Sequence, residues 1–284
     1  MTLRELLDTG RPTIGGWCSI PSAFSAELMG RSGFDWVCID TQHGLIGYDQ
    51  MAVMLQALSI TGTPALVRVP WNTPENIMKA LDAGAQGVIV PMINNADDAR
   101  QVVATVKYPP LGTRSWGPVR ASFGLPVYNP ETANASTLVI VMIETKDGVD
   151  NLDEILSVPG VDAVYVGPMD LALSHGITPA LDVKDPQHEQ LITAILEGCR
   201  QHGVVAGIHC DSVATVTRWW ELGYRMCTLA SDAGLMRAAA TQALKAAAGH
   251  PLRAKPDIDE DPEQQPVQPA TQEAAEQSTT AGYA

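Results

Sequence analysis

The 284-residue chain is short of positive charge: 18 Lys and Arg stand against 32 Asp and Glu, a formal net charge of −14. Nucleic acid and anionic membrane surfaces demand clustered Lys and Arg. No such cluster occurs, so neither is expected as a partner. Also missing is any run of about 18 uninterrupted apolar residues, the length a bilayer-crossing helix needs. The opening MTLRELLDTG has no apolar stretch of the kind a secretory leader carries. The five cysteines (Cys18, Cys38, Cys199, Cys210, Cys227) show no C-x-x-C spacing. Their odd number speaks against a disulfide framework and for reduced thiols in a cytoplasmic protein, and without a Cys/His cluster structural zinc is not expected. A small diffusible ligand fits these absences best.

Hydrophobic residues make up 45% of the chain and charged residues 18%, enough apolar material for a large core. The composition changes at Pro251: the segment 251–284 is rich in Pro, Gln, Glu, Ala and Thr and nearly free of large apolar residues. Such a segment buries too little surface to offset its ordering entropy and reads as a disordered tail. It holds two basic and seven acidic residues, a net of −5, which subtracted from −14 leaves −9 on residues 1–250. The acidity is therefore not confined to the tail.

Between Thr13 and Gly249, apolar runs alternate with amphipathic stretches. Strands are expected at 13–20, 35–40, 65–69, 87–91, 138–143, 162–167, 204–208 and 226–230. Their near-continuous hydrophobicity is that of strands buried on both faces of a parallel sheet. Helix signals fill the gaps: Thr73-Pro74-Glu75 opens 74–83, Ala96 to Val106 is rich in Ala and Asp/Arg, and Asp211-Ser212 precedes 212–222 with Gly223 behind. Strand and helix repeated eight times argue for an α/β fold, a single (β/α)8 TIM barrel over 1–250, about the usual length of that fold. The stretch 107–136, with Pro109-Pro110, Gly112, Gly117-Pro118, Gly124 and Pro126, reads as one long irregular loop, and such loops are usually functional.

In barrels of this kind the chemistry sits at the C-terminal ends of the strands. Asp40 and His43 follow the second expected strand, Arg68 ends the third, Glu144 follows the fifth, Asp170 the sixth and His209 the seventh. Asp40 reads equally as a cap for the segment after it, and a lone His43 reads equally as structural. A guanidinium within a buried strand must find an anion, and Glu144 and Asp170 are each candidates to pair with Arg68. Two carboxylates, one arginine and one histidine on one rim exceed what a structural ion pair needs. Two carboxylates leave most of an octahedral sphere open, which suits Mg²⁺, Mn²⁺ or Co²⁺ holding a substrate with paired oxygens. A 2-oxo acid offers that chelate, and the cation stabilises the enolate formed in carbon–carbon cleavage. Arg68 would add positive charge at the same oxygen, and His43 can shuttle a proton near neutrality. No expected strand contains a lysine; Lys146, in the loop after Glu144, is the nearest, and a loop lysine is seldom desolvated enough for a Schiff base.

The segments FDWVCIDTQHG, ALVRVPWN, LDAGAQGVIVPMINNADDAR, KYPPLGTRS, MIETKDGVDNLDEIL and VDAVYVGPMDLALSHG occur in an order and spacing that resemble the class II pyruvate aldolases of the HpcH/HpaI family, from about Leu3 to Gly249. The resemblance implies a divalent metal on Glu144 and Asp170, Arg68 on the keto and enolate oxygen, His43 in proton transfer, and backbone N–H groups near Met169 and Asp170 on the substrate carboxylate. It also implies that Asp82 supports the histidine across a subunit contact and that Trp17 lines the aldehyde pocket. On residues alone, Asp82 is an ordinary acid at a helix end and Trp17 an ordinary core residue. The implied reaction is reversible aldol cleavage of a 4-hydroxy-2-oxo acid to pyruvate, or a close 2-oxo acid, and an aldehyde. The implied assembly is a homo-hexamer, with the helix at about 232–249 against a neighbour and the loop 107–136 reaching toward an adjacent active site. The apolar stripe Leu235, Met236, Ala239, Ala243 and Leu244 suits a helix contact, although a helix covering its own barrel needs such a stripe too. Two positions depart from the family pattern: D-G-E-H reads Asp40-Thr41-Gln42-His43, and Q-I-E reads Met142-Ile143-Glu144. Changed surroundings shift metal affinity and pKa values, so the substrate can differ from that of the familiar members. Two other readings stand beside this one: a citrate-lyase-like barrel acting on acyl-CoA thioesters, and a barrel that binds 2-oxo acids without turnover.

Overall fold

The structure is a computed structural model that describes residues 2–248. Eight strands form, at Thr13–Cys18 (β1), Trp36–Asp40 (β2), Ala65–Arg68 (β3), Gly87–Val90 (β4), Leu138–Ile143 (β5), Ala163–Val166 (β6), Val205–Ile208 (β7) and Met226–Ser231 (β8). All neighbours are parallel, in the order β1 to β8, and β8 pairs with β1 to close the barrel. The expected strands differ from these only by one or two residues at their ends. Helices stand where their start and stop signals lie. Pro74 opens Pro74–Asp82, Asn95 accepts from Asp98 N–H at the head of Ala96–Val106, and Ser212 and Thr215 form a capping box before Val213–Leu222. The tail expected at 251–284 lies outside the described residues. Among the described residues no helix is long and apolar enough to cross a membrane, and all five cysteines are buried and unpaired.

Two apolar layers hold the fold. Outside the strands, residues such as Val37, Ile39, Val67, Val88 and Val141 pack against the helices. Inside the barrel, Trp17, Trp36, Leu66, Ile89, Ile140 and Tyr165 fill the centre, so the barrel is a packed core and not a pore. The floor is closed by a helix that the sequence reading did not register. Leu3–Asp8, begun by a capping box on Thr2, puts Leu3, Leu6 and Leu7 into that inner layer. Beside it, Gly15 permits a close approach: a Cβ there would lie inside the Trp36 ring.

The stretch 107–136 is less irregular than expected. Its last seven residues form the helix Pro130–Ser136, opened by an Asn129–Thr132 capping box, and Ala121–Gly124 make a 3-10 turn. Because it joins the end of Ala96–Val106 to the start of β5, it lies on the N-terminal face of the barrel, opposite the C-terminal strand ends where the candidate site residues are expected. Residues up to Ala238 form one compact unit. The helix Asp232–Ala248 starts within it, with Asp232 buried but Leu235 and Met236 41% and 65% exposed, so these two do not cover the barrel as an eighth helix ordinarily would.

Candidate active site

The C-terminal strand ends enclose a cavity of about 310 Å³ lined by residues from seven strand ends: Trp17 and Ser19 after or in β1, Asp40 and His43 at β2, Arg68 at β3, Met142 and Glu144 at β5, Gly167 to Asp170 at β6, His209 at β7 and Ser231 at β8. Of the residues singled out from the sequence, Trp17, His43, Arg68, Glu144, Met169 and Asp170 all meet here. Asp82 does not. It ends the helix Pro74–Asp82 on the opposite face, where its carboxylate accepts from the buried Arg114 at 2.6 Å.

Arg68 pairs with Asp40, not with Glu144 or Asp170. The parallel register sets Asp40 and Arg68 side by side as the last residues of β2 and β3, and adjacent strands lie about 4.8 Å apart. Arg68 Nε donates to Asp40 Oδ1 at 3.0 Å and Nη2 to Oδ2 at 2.6 Å, a fork-to-fork pair. Asp40 also accepts from Trp17 Nε1 at 3.1 Å and from the backbone N–H groups of Gln42 and His43 at 3.0 and 3.2 Å. It is thus both the cap considered from sequence and the anchor of the arginine. Burial alone would raise the Asp40 pKa, but the Arg68 pair, helped by Trp17 and His43, carries it below the ordinary carboxylate value. The Arg68 guanidinium lies over the Trp17 ring, 5.0 Å from its centroid. Its remaining nitrogen, Nη1, meets no acceptor among the described residues.

Across the cavity the balance is reversed. Glu144 is 2% exposed, and its only partner among the described residues is the Met92 N–H, which reaches Oε1 at 2.9 Å. Met92 adopts φ 58°, a left-handed conformation unusual for a residue with a side chain, and that turn aims its N–H at the carboxylate. Oε2 lies against Gly167, where any side chain would run into it. Burial, with repulsion from Asp170, outweighs the Met92 hydrogen bond and the distant Arg68 charge and pushes the Glu144 pKa up to about 7. Asp170, in the first turn of Pro168–Ser174, is exposed at the cavity mouth. A buried carboxylate whose free oxygen shares a cavity with a second carboxylate, the nearby arginine being already neutralised by Asp40, is a donor set that could hold a divalent cation. No third His, Cys, Asp or Glu joins the two among the described residues, so most of a coordination sphere would be left to a ligand and water.

The departures from the family pattern have physical counterparts. Met142 presents a thioether to the cavity next to Glu144, and Gln42 has its side-chain oxygen buried without a partner among the described residues. His43 is exposed, and its imidazole makes no hydrogen bond among the described residues. Lys146 heads a surface helix in an ion pair with Asp150 and does not line the cavity. Sequence reasoning missed Met92 and Gly167, whose contributions are backbone geometry, and gave His209 and Ser231 no role although both line the cavity. Their signal was their place at strand ends.

The HpcH/HpaI aldolase/citrate lyase family pattern matches residues 14–239. The chain is 37% identical over 242 residues to a hydroxypyruvate/pyruvate aldolase of Rhizorhabdus wittichii, covering 85% of this chain and 96% of that one. It is 36% identical over 255 residues to a 4-hydroxy-2-oxo-heptane-1,7-dioate aldolase of Escherichia coli, covering 87% and 95%. The crystal structure of an HpcH/HpaI aldolase/citrate lyase family protein from Burkholderia cenocepacia superimposes with a TM-score of 0.79 at 35% identity, over 86% of this chain and 97% of that one. With a match across the whole barrel and with relatives covered nearly end to end, the chain belongs to the HpcH/HpaI aldolase/citrate lyase family.

Proposed function

We propose that this protein is a divalent-metal-dependent aldolase that cleaves and forms the carbon–carbon bond between pyruvate, or a close 2-oxo acid, and an aldehyde. Aldolase relatives at 36–37% identity over most of the chain make it a carbon–carbon lyase. The observation that carries the metal reading is the pair Glu144 and Asp170, two carboxylates facing one cavity with no protein cation to neutralise them. Mg²⁺, Mn²⁺ or Co²⁺ held there would chelate the carboxylate and keto oxygens of the 2-oxo acid and stabilise its enolate. Arg68, fixed by Asp40 and Trp17, keeps Nη1 for the oxygen on which charge develops. His43 takes the proton from the substrate hydroxyl in cleavage and returns it in synthesis. Met169 and Asp170, at the start of their helix, offer N–H groups to the substrate carboxylate. Trp17 walls the aldehyde side. A cavity of about 310 Å³ holds a small acid and a small aldehyde.

The working form is a homo-oligomer, a hexamer by family resemblance, in a cytoplasmic setting that suits five unpaired thiols. Asp82 and the loop on its face serve a neighbour's site in that assembly. Leu111, Trp116, Val119, Phe123 and Val127 on that loop are all more than half exposed, which supports burial by a second subunit. The function is tested by a retro-aldol screen over 4-hydroxy-2-oxo acids with pyruvate release as readout. Chelator should abolish turnover and added Mg²⁺, Mn²⁺ or Co²⁺ restore it; full activity in metal-stripped protein would refute the assignment. Light scattering giving the mass of one chain, with full activity, would refute the assembly and the role of Asp82.

A further inference from the structure

The β7–β8 side of the cavity holds a residue that the aldol chemistry above leaves unused. His209 directly follows β7, and its Nδ1 lies 3.2 Å from Thr228 Oγ1 and 3.4 Å from Tyr165 Oη. The two hydroxyls are 3.0 Å apart, both residues are fully buried, and Thr228 Oγ1 also accepts from Cys210 N–H at 3.0 Å. Two hydroxyl protons must therefore find acceptors inside this triangle, since the Tyr165 hydroxyl has no other partner among the described residues. With Nδ1 unprotonated both are satisfied: Tyr165 O–H donates to Thr228 Oγ1, and Thr228 O–H donates to Nδ1. With Nδ1 protonated, one buried hydroxyl proton is left with no acceptor. The proton of the neutral ring consequently sits on Nε2. Burial, with the Arg68 charge adding to it and Asp40 opposing, holds the His209 pKa down to about 4, so the ring stays neutral at ordinary pH.

Nε2 meets no protein partner among the described residues and is not among the sealed-off polar atoms, while His209 lines the cavity. An edge contact with Trp17, centroids 4.9 Å apart, fixes the ring plane. In the same cavity Ser231 Oγ accepts from Gly234 N–H at 3.0 Å, and its own proton finds no acceptor among the described residues. Two donors without a protein acceptor thus line one cavity, and the charges that act on His209 are those of Arg68 and Asp40. The neighbourhood is not suited to an anion. Among the described residues lining the cavity Arg68 is the one permanent cation, and Asp40 already neutralises it. A neutral oxygen fits these donors better than a carboxylate.

We infer that His209, through Nε2–H, is a specificity-determining residue that donates to a hydroxyl on the aldehyde substituent and makes the enzyme prefer a hydroxyaldehyde to an alkyl aldehyde of equal size. This rests on the aldolase reading. A donor desolvated against a methyl group loses its hydrogen bond, and a site built around such a donor rejects the analogue lacking the partner.

The test compares glycolaldehyde with propanal, which match in heavy-atom count, as acceptors for pyruvate in metal-supplemented wild-type protein, His209→Leu and His209→Gln. Intrinsic differences in aldehyde reactivity cancel when the glycolaldehyde-to-propanal ratio of kcat/KM is compared between proteins. The ratio should fall about tenfold or more in His209→Leu, the order expected for one lost hydrogen bond to a bound substrate, and return in part in His209→Gln, whose amide keeps an N–H. Imidazole ¹⁵N shifts of the wild-type protein, read without metal or substrate, should show His209 protonated at Nε2 and not at Nδ1. A ratio unchanged in His209→Leu, or a proton on Nδ1, would overturn the proposal. Deuterium exchange into the pyruvate methyl group separates the two levels of the argument. Exchange with an unchanged ratio overturns only the role of His209, whereas no exchange in wild-type protein overturns the aldolase reading and this proposal with it.

Discussion

The two sides of the cavity solve opposite electrostatic problems. At β2 and β3, Asp40, Arg68 and Trp17 are paired with one another, and the protein completes this side by itself. At β5 and β6, Glu144 is held by one backbone N–H and repelled by Asp170. The first arrangement fixes geometry. The second keeps an unmet demand for positive charge, the condition under which a bound cation gains most. A site that binds and also positions needs both.

The comparison breaks most visibly at Glu144. Glu144→Gln should lower pyruvate release by about a hundredfold or more, because one of the two proposed cation ligands is lost, yet leave the thermal midpoint of the metal-free protein equal or higher, since a strained buried carboxylate is gone. A lower midpoint would mean that Glu144 is a structural member like Asp40. Arg68→Ala should abolish deuterium exchange into pyruvate and also destabilise the fold by about 3–5 kcal/mol, because Asp40 is left charged and buried without its partner. Asp40→Asn added to Arg68→Ala should restore much of the stability and none of the exchange, as denaturant titration would record.

A smaller effect concerns pH. The folded pKa of His209 is depressed to about 4 from an ordinary 6.5, so the unfolded chain binds a proton that the folded one refuses. Its contribution to stability is therefore fully present above 6.5 and is lost as pH falls through to about 4, on the order of 3 kcal/mol for a shift of this size. His209→Gln should flatten the acid limb of the unfolding curve across that window, and an unchanged limb would show that the ring titrates normally. The smallest effect is expected at Lys146→Ala, which removes a surface ion pair outside the cavity and should keep near-wild-type aldolase activity. Loss of turnover there, with trapping of pyruvate by borohydride, would replace the metal mechanism with an imine.

The barrel was legible because buried parallel strands write themselves as unbroken apolar runs, and all eight such runs became strands. The rim was legible because polar residues at the ends of such runs are conspicuous. The partner of Arg68 was not, since pairing depends on the register between β2 and β3, and no single strand carries that information. The helix Leu3–Asp8 went unread because six residues are too few to display a helical period. Met92 and Gly167 contribute a backbone angle and an empty space, and neither is a residue type that announces chemistry.

The closed floor has a kinetic consequence. Leu3, Leu6 and Leu7 pack with Trp36 and Tyr165 in the inner layer, so the well offers no way out through the floor of the barrel. Glu144 and Asp40 lie deep in it, 2% and 3% exposed, while Met169 stands near the opening at 39%. A reactant resting on Glu144 is therefore expected to enter before a second one settles above it, an order that product-inhibition patterns would report. An ordered exchange, with the deeper reactant first in and last out, is the expected kinetic pattern of such a well, and the packed barrel that the three leucines close from below leaves it no second exit.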